Sequence, residues 1–303
     1  MLRQAITLTL QDISSTGRVL LSAGLPRREI RMVLPGADEE RDLSWLDWSL
    51  CMAVSADGEL VLINEQGQGA GPEYAIYLRP TDGSPAMNVG KGTPTDLSAD
   101  GKSVLVITTS TNELVLLPTG AGDPRKLADE HYNVGWAAFL RDGKRIVFSA
   151  IERGRRSRVY VMNVEGGSPR TLTPEGFFFD FFSPGVTPGG GSFAARSGDG
   201  HIWMFDVEEG PGRPVPGTST TDNVAGVSPD GRSLYIYGGG QTRVKIYRVD
   251  MISGARQAVT GDRTCRCRRR DHCRASREFG GRPILCIFVR PLLTDLFLVD
   301  GLK

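Results

Sequence analysis

The stretch VGWAAFLRDGKRIVFS, residues 134–149, carries the pattern that determines the fold. Two runs rich in aromatic and β-branched residues flank the dipeptide Asp142-Gly143. Runs of this length and composition are typical of β-strands, and Asp-Gly between them is typical of a hairpin. A third run, Arg158–Met162, and a short fourth run, Pro169–Thr173, follow on either side of Gly166-Gly167. The unit is therefore predicted to be a four-stranded antiparallel sheet.

The same unit recurs along the chain. Its first turn is found at Thr16-Gly17, Asp57-Gly58, Asp100-Gly101, Asp142-Gly143, Gly189-Gly190 and Asp230-Gly231. The glycines that end these dipeptides are spaced by 41, 43, 42, 47 and 41 residues, and a weaker seventh candidate is Gly280-Gly281. A second glycine turn follows each of them. Four strands at a period of about 42 residues are typical of a β-propeller blade.

We therefore predict an all-β fold, a β-propeller of about seven four-stranded blades with a range of six to eight, in a single domain spanning residues 1–303. The strands are apolar on both faces, as in Ile146-Val147-Phe148, which favours sheets stacked around an axis over a two-layer sandwich. Each Asp-Gly pair is expected to form a two-residue hairpin turn. Glycine accepts the positive φ of such a turn, and aspartate tolerates it.

These repeats resemble a known family. The segments Ser55-Ala56-Asp57-Gly58, Ser98–Lys102 and Ser228–Arg232 are similar to the WD40-like repeat of TolB-type propellers. Three other segments resemble the C-terminal propeller of bacterial membrane-bound serine/threonine protein kinases: RDLSWLDWS at 41–49, YLRPTDGSP at 77–85 and DLFLVDGLK at 295–303. The likeness covers residues 8–261 and 292–303. It implies a sensor or interaction module that lies outside the cytoplasm in a membrane-bound kinase.

Residues 262–290 depart from the pattern and would disturb the last blade. They contain nine Arg, four of the five Cys and three acidic residues, a surplus of six positive charges. Cys265, Cys267, His272 and Cys273 offer zinc-ligand types, but without the Cys-x₂-Cys spacing of zinc knuckles. Arg268-Arg269-Arg270 suggests a basic arm for nucleic acid or an acidic partner. The preferred interpretation is a stretch read out of frame, because the family-like ending returns at Leu292.

Composition and motifs argue against several functions. The net charge is +1, so no nucleic-acid partner is expected, and no apolar run is long enough to span a membrane. Membrane attachment would need a further segment upstream, and the chain itself is expected to be soluble. Kinase His-Arg-Asp and Asp-Phe-Gly motifs and the hydrolase Gly-x-Ser-x-Gly motif do not occur. The chain is therefore predicted to be non-catalytic, with no catalytic residue, cofactor or metal site.

The loops of a propeller predict where binding occurs. In a four-stranded blade the second loop and the connection to the next blade lie on the face opposite the glycine turns. These loops vary in sequence, and variable loops on a rigid scaffold commonly carry recognition. Arg153, Arg155 and Arg156 are the sharpest candidates on this face, for a small anionic ligand or an acidic protein patch. Solvated loop charge is the competing interpretation.

Aromatic residues are expected to pack between blades. This applies to the run Phe177–Phe182 and to Trp45, Trp48, Trp136 and Trp203. The leading functional prediction is a ligand- or protein-binding sensor propeller from the C-terminal part of a bacterial serine/threonine kinase. A stand-alone TolB-like periplasmic scaffold is the first alternative. The propeller of a prolyl-oligopeptidase-type peptidase without its catalytic domain is the second.

Overall fold

The computed structural model describes residues 7–15, 18–33, 41–180, 185–208, 210–238, 246–259, 273–279, 282–289 and 292–299. In these ranges the regular structure is β-strand, apart from a short 3₁₀ turn at Gln68–Ala70, and there is no α-helix. None of the described residues forms a helix that is long and apolar enough to cross a membrane. The prediction of an all-β chain is confirmed.

The chain begins with strands β1 (Thr7–Ile13), β2 (Val19–Pro26), β3 (Glu29–Val33) and β4 (Arg41–Asp42). Five sheets follow, each made of four consecutive antiparallel strands. Their bounds are β5 (Ser49–Val54), β6 (Leu60–Glu65), β7 (Ala75–Pro80) and β8 (Met87–Lys91); β9 (Thr93–Leu97), β10 (Ser103–Ile107), β11 (Leu114–Pro118) and β12 (Arg125–Ala128); β13 (Tyr132–Phe139), β14 (Arg145–Glu152), β15 (Arg158–Asn163) and β16 (Arg170–Thr171); β17 (Phe177–Phe178), β18 (Ser192–Ser197), β19 (Ile202–Asp206) and β20 (Arg213–Pro214); and β21 (Asp222–Val227), β22 (Ser233–Gly238), β23 (Ile246–Asp250) and β24 (Arg256–Ala258).

Two further sheets join the two ends of the chain. They use the last strands, β25 (Cys273–Phe279), β26 (Arg282–Val289) and β27 (Leu292–Val299). One sheet has the order β25-β26-β3-β4, and the other has the order β1-β2-β27. Strand β25 contacts β21 of the fifth blade, and β3 contacts β5 of the first. The composite sheet β25-β26-β3-β4 therefore lies between the fifth and first blades.

The described residues form five blades, so the prediction of about seven is wrong. The glycine pattern has seven markers, but the first and last do not each build a four-stranded blade. Of the two strands beside Gly17, β2 pairs with β27, and of the two strands beside Gly280-Gly281, β26 pairs with β3. Glycine markers report hairpins, and a hairpin at a chain end can complete a sheet begun at the other end. Within the anomalous segment 262–290, residues 273–279 and 282–289 are strands, whereas the rest lie outside the described residues.

The Asp-Gly turns have a different geometry from the one predicted. Glycine has positive φ, +71° at Gly101, but the aspartate before it does not. Asp100 acts through its side chain, which accepts hydrogen bonds from Ser98 Oγ at 2.6 Å and from the backbone N–H of Lys102 at 3.1 Å. The N–H of Ser103 in turn donates to Ser98 Oγ at 2.9 Å. The loop is thus a longer hairpin turn held by a Ser-x-Asp hydrogen-bond pair.

Apolar residues on both faces of the strands form the core, as the sequence predicts. Ile146, Val147 and Phe148 of β14 are consecutive and all fully buried. Trp136 is buried, and Trp45, Trp48 and Trp203 pack against the buried cluster that runs through the first four blades. The aromatic run begins in the innermost strand of the fourth blade, β17. Its ring contacts include Phe179 with Phe193, whose centroids are 5.6 Å apart, while Phe181 and Phe182 lie outside the described residues.

Candidate ligand site on the loop face

The blades have two distinct faces. Glycine turns join the first and second strands of each blade, and we call the face that they form the turn face. The loops between the second and third strands, at 66–74, 108–113, 153–157 and 198–201, lie on the opposite side with the connections between blades. We call this side the loop face. Innermost strands run from the loop face to the turn face, so their first residues surround the axis on the loop face.

A cavity of about 460 Å³ lies at the loop-face end of these innermost strands. Leu50 of β5, Thr93 of β9 and Val134 of β13 line it, and each is at or near the start of its strand. Met52, Ile107 and Trp136 extend the apolar wall. We call this space the axial cavity. Its volume falls in the range of small-molecule sites, about 300 to 1,000 Å³.

The polar lining of the axial cavity contains one charge. Arg28, Gln66, Asn112 and Asn133 contribute to the lining, and no acidic residue is found among the described residues around the cavity. The guanidinium carbon of Arg28 lies 4.9 Å from the ring centroid of Trp48, which is a cation–π contact. Within the part of the chain that the structure describes, the buried Arg28 Nε has no hydrogen-bond acceptor. The cavity is therefore lined by a cation that forms no ion pair with any of the described residues.

The backbone fixes the position of Arg28. Its N–H donates to the Asp47 carbonyl at 3.1 Å, and its carbonyl accepts from the N–H of Ser49 at 3.2 Å. These bonds form a parallel β-bridge between Arg28 and Trp48. A guanidinium held on an aromatic ring by a fixed backbone has little freedom to lose when it binds a ligand.

Buried Glu65 holds the chain on which Arg28 rests. Its carboxylate accepts hydrogen bonds from the backbone N–H groups of Leu46, at 3.1 Å, and Trp48, at 3.3 Å, and from the hydroxyl of Ser49. Burial raises the pKa of the Glu65 carboxyl above its usual range, and the bond from Ser49 opposes this rise. Glu65 therefore orders the connection between β4 and β5 from behind the cavity wall.

Side-chain amides hold two neighbouring parts of the edge of the axial cavity, which we call its rim. Gln66 donates through Nε2 to Asn64 Oδ1 at 2.7 Å, and buried Asn64 donates through Nδ2 to the Gly92 carbonyl at 2.9 Å, next to Thr93. On the second blade, Asn112 has a φ of +54°, and its carbonyl accepts from the N–H of Val134 at 3.1 Å. Asparagine tolerates this left-handed conformation better than most residues. The rim therefore joins successive blades.

The predicted arginines are on the loop face but do not line the axial cavity. Arg153, Arg155 and Arg156 are exposed between β14 and β15. Arg155 Nε lies 3.1 Å from Glu152 Oε2, and its Nη1 lies 3.7 Å from Glu175 Oε1. The charge of Arg155 is thus already balanced by its neighbours. A binding role for the three arginines stays a prediction.

The sequence does not predict Arg28 as a binding residue, because that prediction rests on the loops within blades. Arg28 lies between β2 and β3, which belong to the two sheets built from both chain ends, and its approach to β5 depends on that long-range pairing. The sequence around it, Pro26-Arg27-Arg28-Glu29, reads as a charged turn. Only the pairing of Arg28 with Trp48 distinguishes it from its neighbour Arg27.

A metal site is not visible in the described ranges, where no group of three or more His, Cys, Asp or Glu is arranged to hold an ion. Of the four residues considered for zinc, Cys265, Cys267 and His272 lie outside the described residues. Cys273 starts β25, where only the backbone is described. The zinc alternative is therefore untested.

Comparisons with known proteins agree on the fold. No protein-family model matches the sequence, and no curated protein matches it either. A structure from Agrobacterium tumefaciens described as a TolB has a TM-score of 0.64 and 19% identity, and the match covers 88% of this chain and 98% of that one. TolB from Acinetobacter baumannii has a TM-score of 0.57 and 15% identity, with 94% and 79% covered. The oligogalacturonate lyase from Vibrio parahaemolyticus has a TM-score of 0.53 and 12% identity, and the match covers 89% of this chain and 75% of that one.

These similarities show that the chain has a β-propeller fold like that of the TolB structures. At such low identity they establish the fold alone, and the fold carries both binding proteins and enzymes. The resemblance to kinase propellers stays a prediction.

Proposed function

We propose that the chain is a non-catalytic, TolB-like binding scaffold whose protein partner or small ligand binds on the loop face, over the axial cavity. The observation that supports this most is the lining of that cavity. Arg28, three side-chain amides and an apolar wall provide hydrogen bonds, charge and contact area for a ligand. A few polar groups in an apolar hollow are typical of recognition sites.

The same lining favours binding over catalysis. General acid–base catalysis needs a side chain that exchanges a proton near neutral pH, such as His, Asp, Glu or Lys. Among the described residues around the axial cavity, none of these types is present. Because the lyase shares the fold, oligogalacturonate is the substrate to test first. The proposal expects no product from it, and turnover that depends on Arg28 or Asn133 would contradict the proposal.

Variants of the two faces test the location of binding. Full-length tagged protein is purified from the cells that make it, and its partners are quantified by mass spectrometry. Asn112→Arg places a bulky charge on the rim of the axial cavity, whereas Lys102→Glu changes an exposed residue on the turn face. We expect Asn112→Arg to remove partners that Lys102→Glu retains. The opposite pattern would contradict the proposal.

The exposed loop arginines are tested in the same experiment. Alanine at Arg153, Arg155 and Arg156 together is expected to reduce binding of an acidic partner. The loss should come from Arg153 and Arg156, since Arg155 is already paired with Glu152 and Glu175. If every partner is retained by the triple variant, the three arginines are solvated loop charges.

A finer version of the proposal makes this propeller the sensor region of a bacterial serine/threonine kinase. The sequence resemblance at 41–49 and 77–85 supports it. The genomic DNA around the gene, read in all frames, tests it. An in-frame kinase domain and membrane helix upstream are expected. Upstream sequence without them would leave the TolB-like scaffold as the function. The same reading shows whether another frame beneath residues 262–290 encodes a blade.

A further inference from the structure

We propose that Arg28 binds the carboxylate of a small, partly apolar organic acid in the axial cavity. This inference rests on the proposed function and specifies the ligand class of the same site. It starts from the buried Nε of Arg28, which finds no acceptor among the described residues. A buried donor that lacks a hydrogen-bond acceptor costs free energy, so a ligand whose acceptor reaches it gains affinity.

The geometry of the guanidinium favours a carboxylate. Arginine presents Nε and one Nη side by side, and a carboxylate accepts from both in two parallel hydrogen bonds. Trp48 packs against the guanidinium, with 4.9 Å from the guanidinium carbon to the ring centroid, and so restricts its orientation. A planar cation held in one orientation recognises a planar anion better than a flexible lysine would.

The nearby carboxylates do not neutralise Arg28. Glu65 accepts from Leu46, Trp48 and Ser49, so its oxygens are occupied behind the wall. The Asp47 carboxylate accepts from the backbone N–H of Gln68 at 3.1 Å, within the loop at 66–74. Neither carboxylate forms an ion pair with Arg28 in the described part of the chain. As far as the structure is described, no carboxylate competes with a ligand for this guanidinium.

The rest of the lining points to an organic acid over an inorganic anion. The apolar part of the lining comes from Leu50, Met52, Ile107 and Trp136, which are themselves almost fully buried. Burial of a hydrocarbon group against such surface is favourable, whereas inorganic phosphate would gain nothing from it. A volume of about 460 Å³ accommodates a molecule with a carboxylate and a ring or a short chain.

The test uses sodium benzoate and its neutral isostere benzamide with the full-length chain, followed by tryptophan fluorescence and isothermal titration calorimetry. Benzoate is expected to bind saturably and benzamide at least about 10-fold more weakly, since a hydrogen bond to a charged group is worth about 10- to 100-fold in affinity. Inorganic phosphate is expected to bind more weakly than benzoate. Equal affinity for benzoate and benzamide, no benzoate binding, or tighter phosphate binding would overturn the proposal.

Two variants assign the effect to Arg28. Arg28→Lys keeps the charge but loses the two parallel donors, and Arg28→Gln loses the charge as well. Benzoate affinity is expected to fall in the order wild type, Arg28→Lys, Arg28→Gln, with the last at least about 10-fold weaker. Arg232→Gln, at an exposed arginine of the turn face, is the matched control and should bind as wild type does. If Arg232→Gln loses benzoate as well, the effect does not arise at the axial cavity and the proposal is overturned.

The comparison of benzoate with benzamide needs no variant, so it tests binding of a carboxylate even if the Arg28 variants fail to fold. Failure of this inference is distinguishable from failure of the proposed function. If Asn112→Arg removes a protein partner but benzoate does not bind, the loop face binds a protein without a carboxylate site at Arg28. If neither occurs, both proposals fall.

Discussion

Replacement of Glu65 by alanine should destabilise the first blade strongly. The carboxylate is fully buried and accepts from two backbone N–H groups and the Ser49 hydroxyl. Alanine leaves three donors without an acceptor, and each buried unsatisfied donor costs about 1 to 3 kcal/mol. The expected loss is therefore at least about 3 kcal/mol, a large share of the stability of an ordinary domain.

Glu65→Gln is the matched control. Its amide oxygen can replace one carboxylate oxygen, but its NH₂ group would face the N–H of Trp48 or Leu46 as a second donor. One bond is lost in place of three, so the expected cost is about 1 to 2 kcal/mol. The order of stability is wild type, Glu65→Gln, Glu65→Ala. Equal stability of wild type and Glu65→Ala would refute the role given to Glu65.

The pH dependence of the stability of wild type and Glu65→Gln tests the protonation of the Glu65 carboxyl. Burial raises the pKa of Glu65, so the folded chain holds the proton more tightly than the unfolded chain. Its stabilising contribution is greatest below the pKa of a solvated glutamate and declines as pH rises through the raised pKa. Urea denaturation of both proteins from pH 4 upward should show the stability difference between wild type and Glu65→Gln shrinking. A difference that grows with pH would contradict the raised pKa.

Two other predictions concern the hydrogen bonds that shape the blades. Ser98→Ala removes the hydroxyl that donates to Asp100 and should cost about 1 kcal/mol in urea denaturation, whereas Ser110→Ala, at an exposed loop serine, should cost almost nothing. Equal effects would refute the role of the Ser-x-Asp pair. Arg196 pairs with Asp180 at 2.5 and 2.7 Å, and both side chains are largely buried, so Arg196→Met should cost about 3 to 5 kcal/mol. The double variant with Asp180→Asn should lose less free energy of unfolding than the two single variants lose together. Strictly additive losses would contradict an interaction between Arg196 and Asp180.

The sequence predicted the fold class because the local signal is strong. Asp-Gly turns with β-rich runs on both sides, such as 98–107, fix hairpins by short-range chemistry. Blade number could not be obtained in this way. It depends on whether the hairpin around Gly17 pairs with the next strands or with β27, and that choice is made by contacts almost the whole chain length apart. Periodicity counts hairpins and carries no information on their long-range partners.

The sequence predicted a binding face but not the cavity on it, and a binding role for that face stays a prediction. Loop order along the chain was enough to identify the loop face, because alternating connections in a meander lie on opposite sides. The residue that gives the axial cavity its charge was not identified. Arg28 reaches the cavity through the bridge with Trp48, which a search of loops between successive strands does not consider. Likewise, Glu65 is one carboxylate among many in the sequence, and only its three donors distinguish it.

Site-specific photo-crosslinking in the cells that make the protein tests the central claim most directly, namely that the loop face is the binding face. p-Benzoylphenylalanine is placed at Asn112, on the rim of the axial cavity, and at Lys102, on the turn face; both positions are exposed. The account predicts a defined adduct from Asn112 upon irradiation and none from Lys102. An adduct from Lys102 alone, or from neither position, would contradict it.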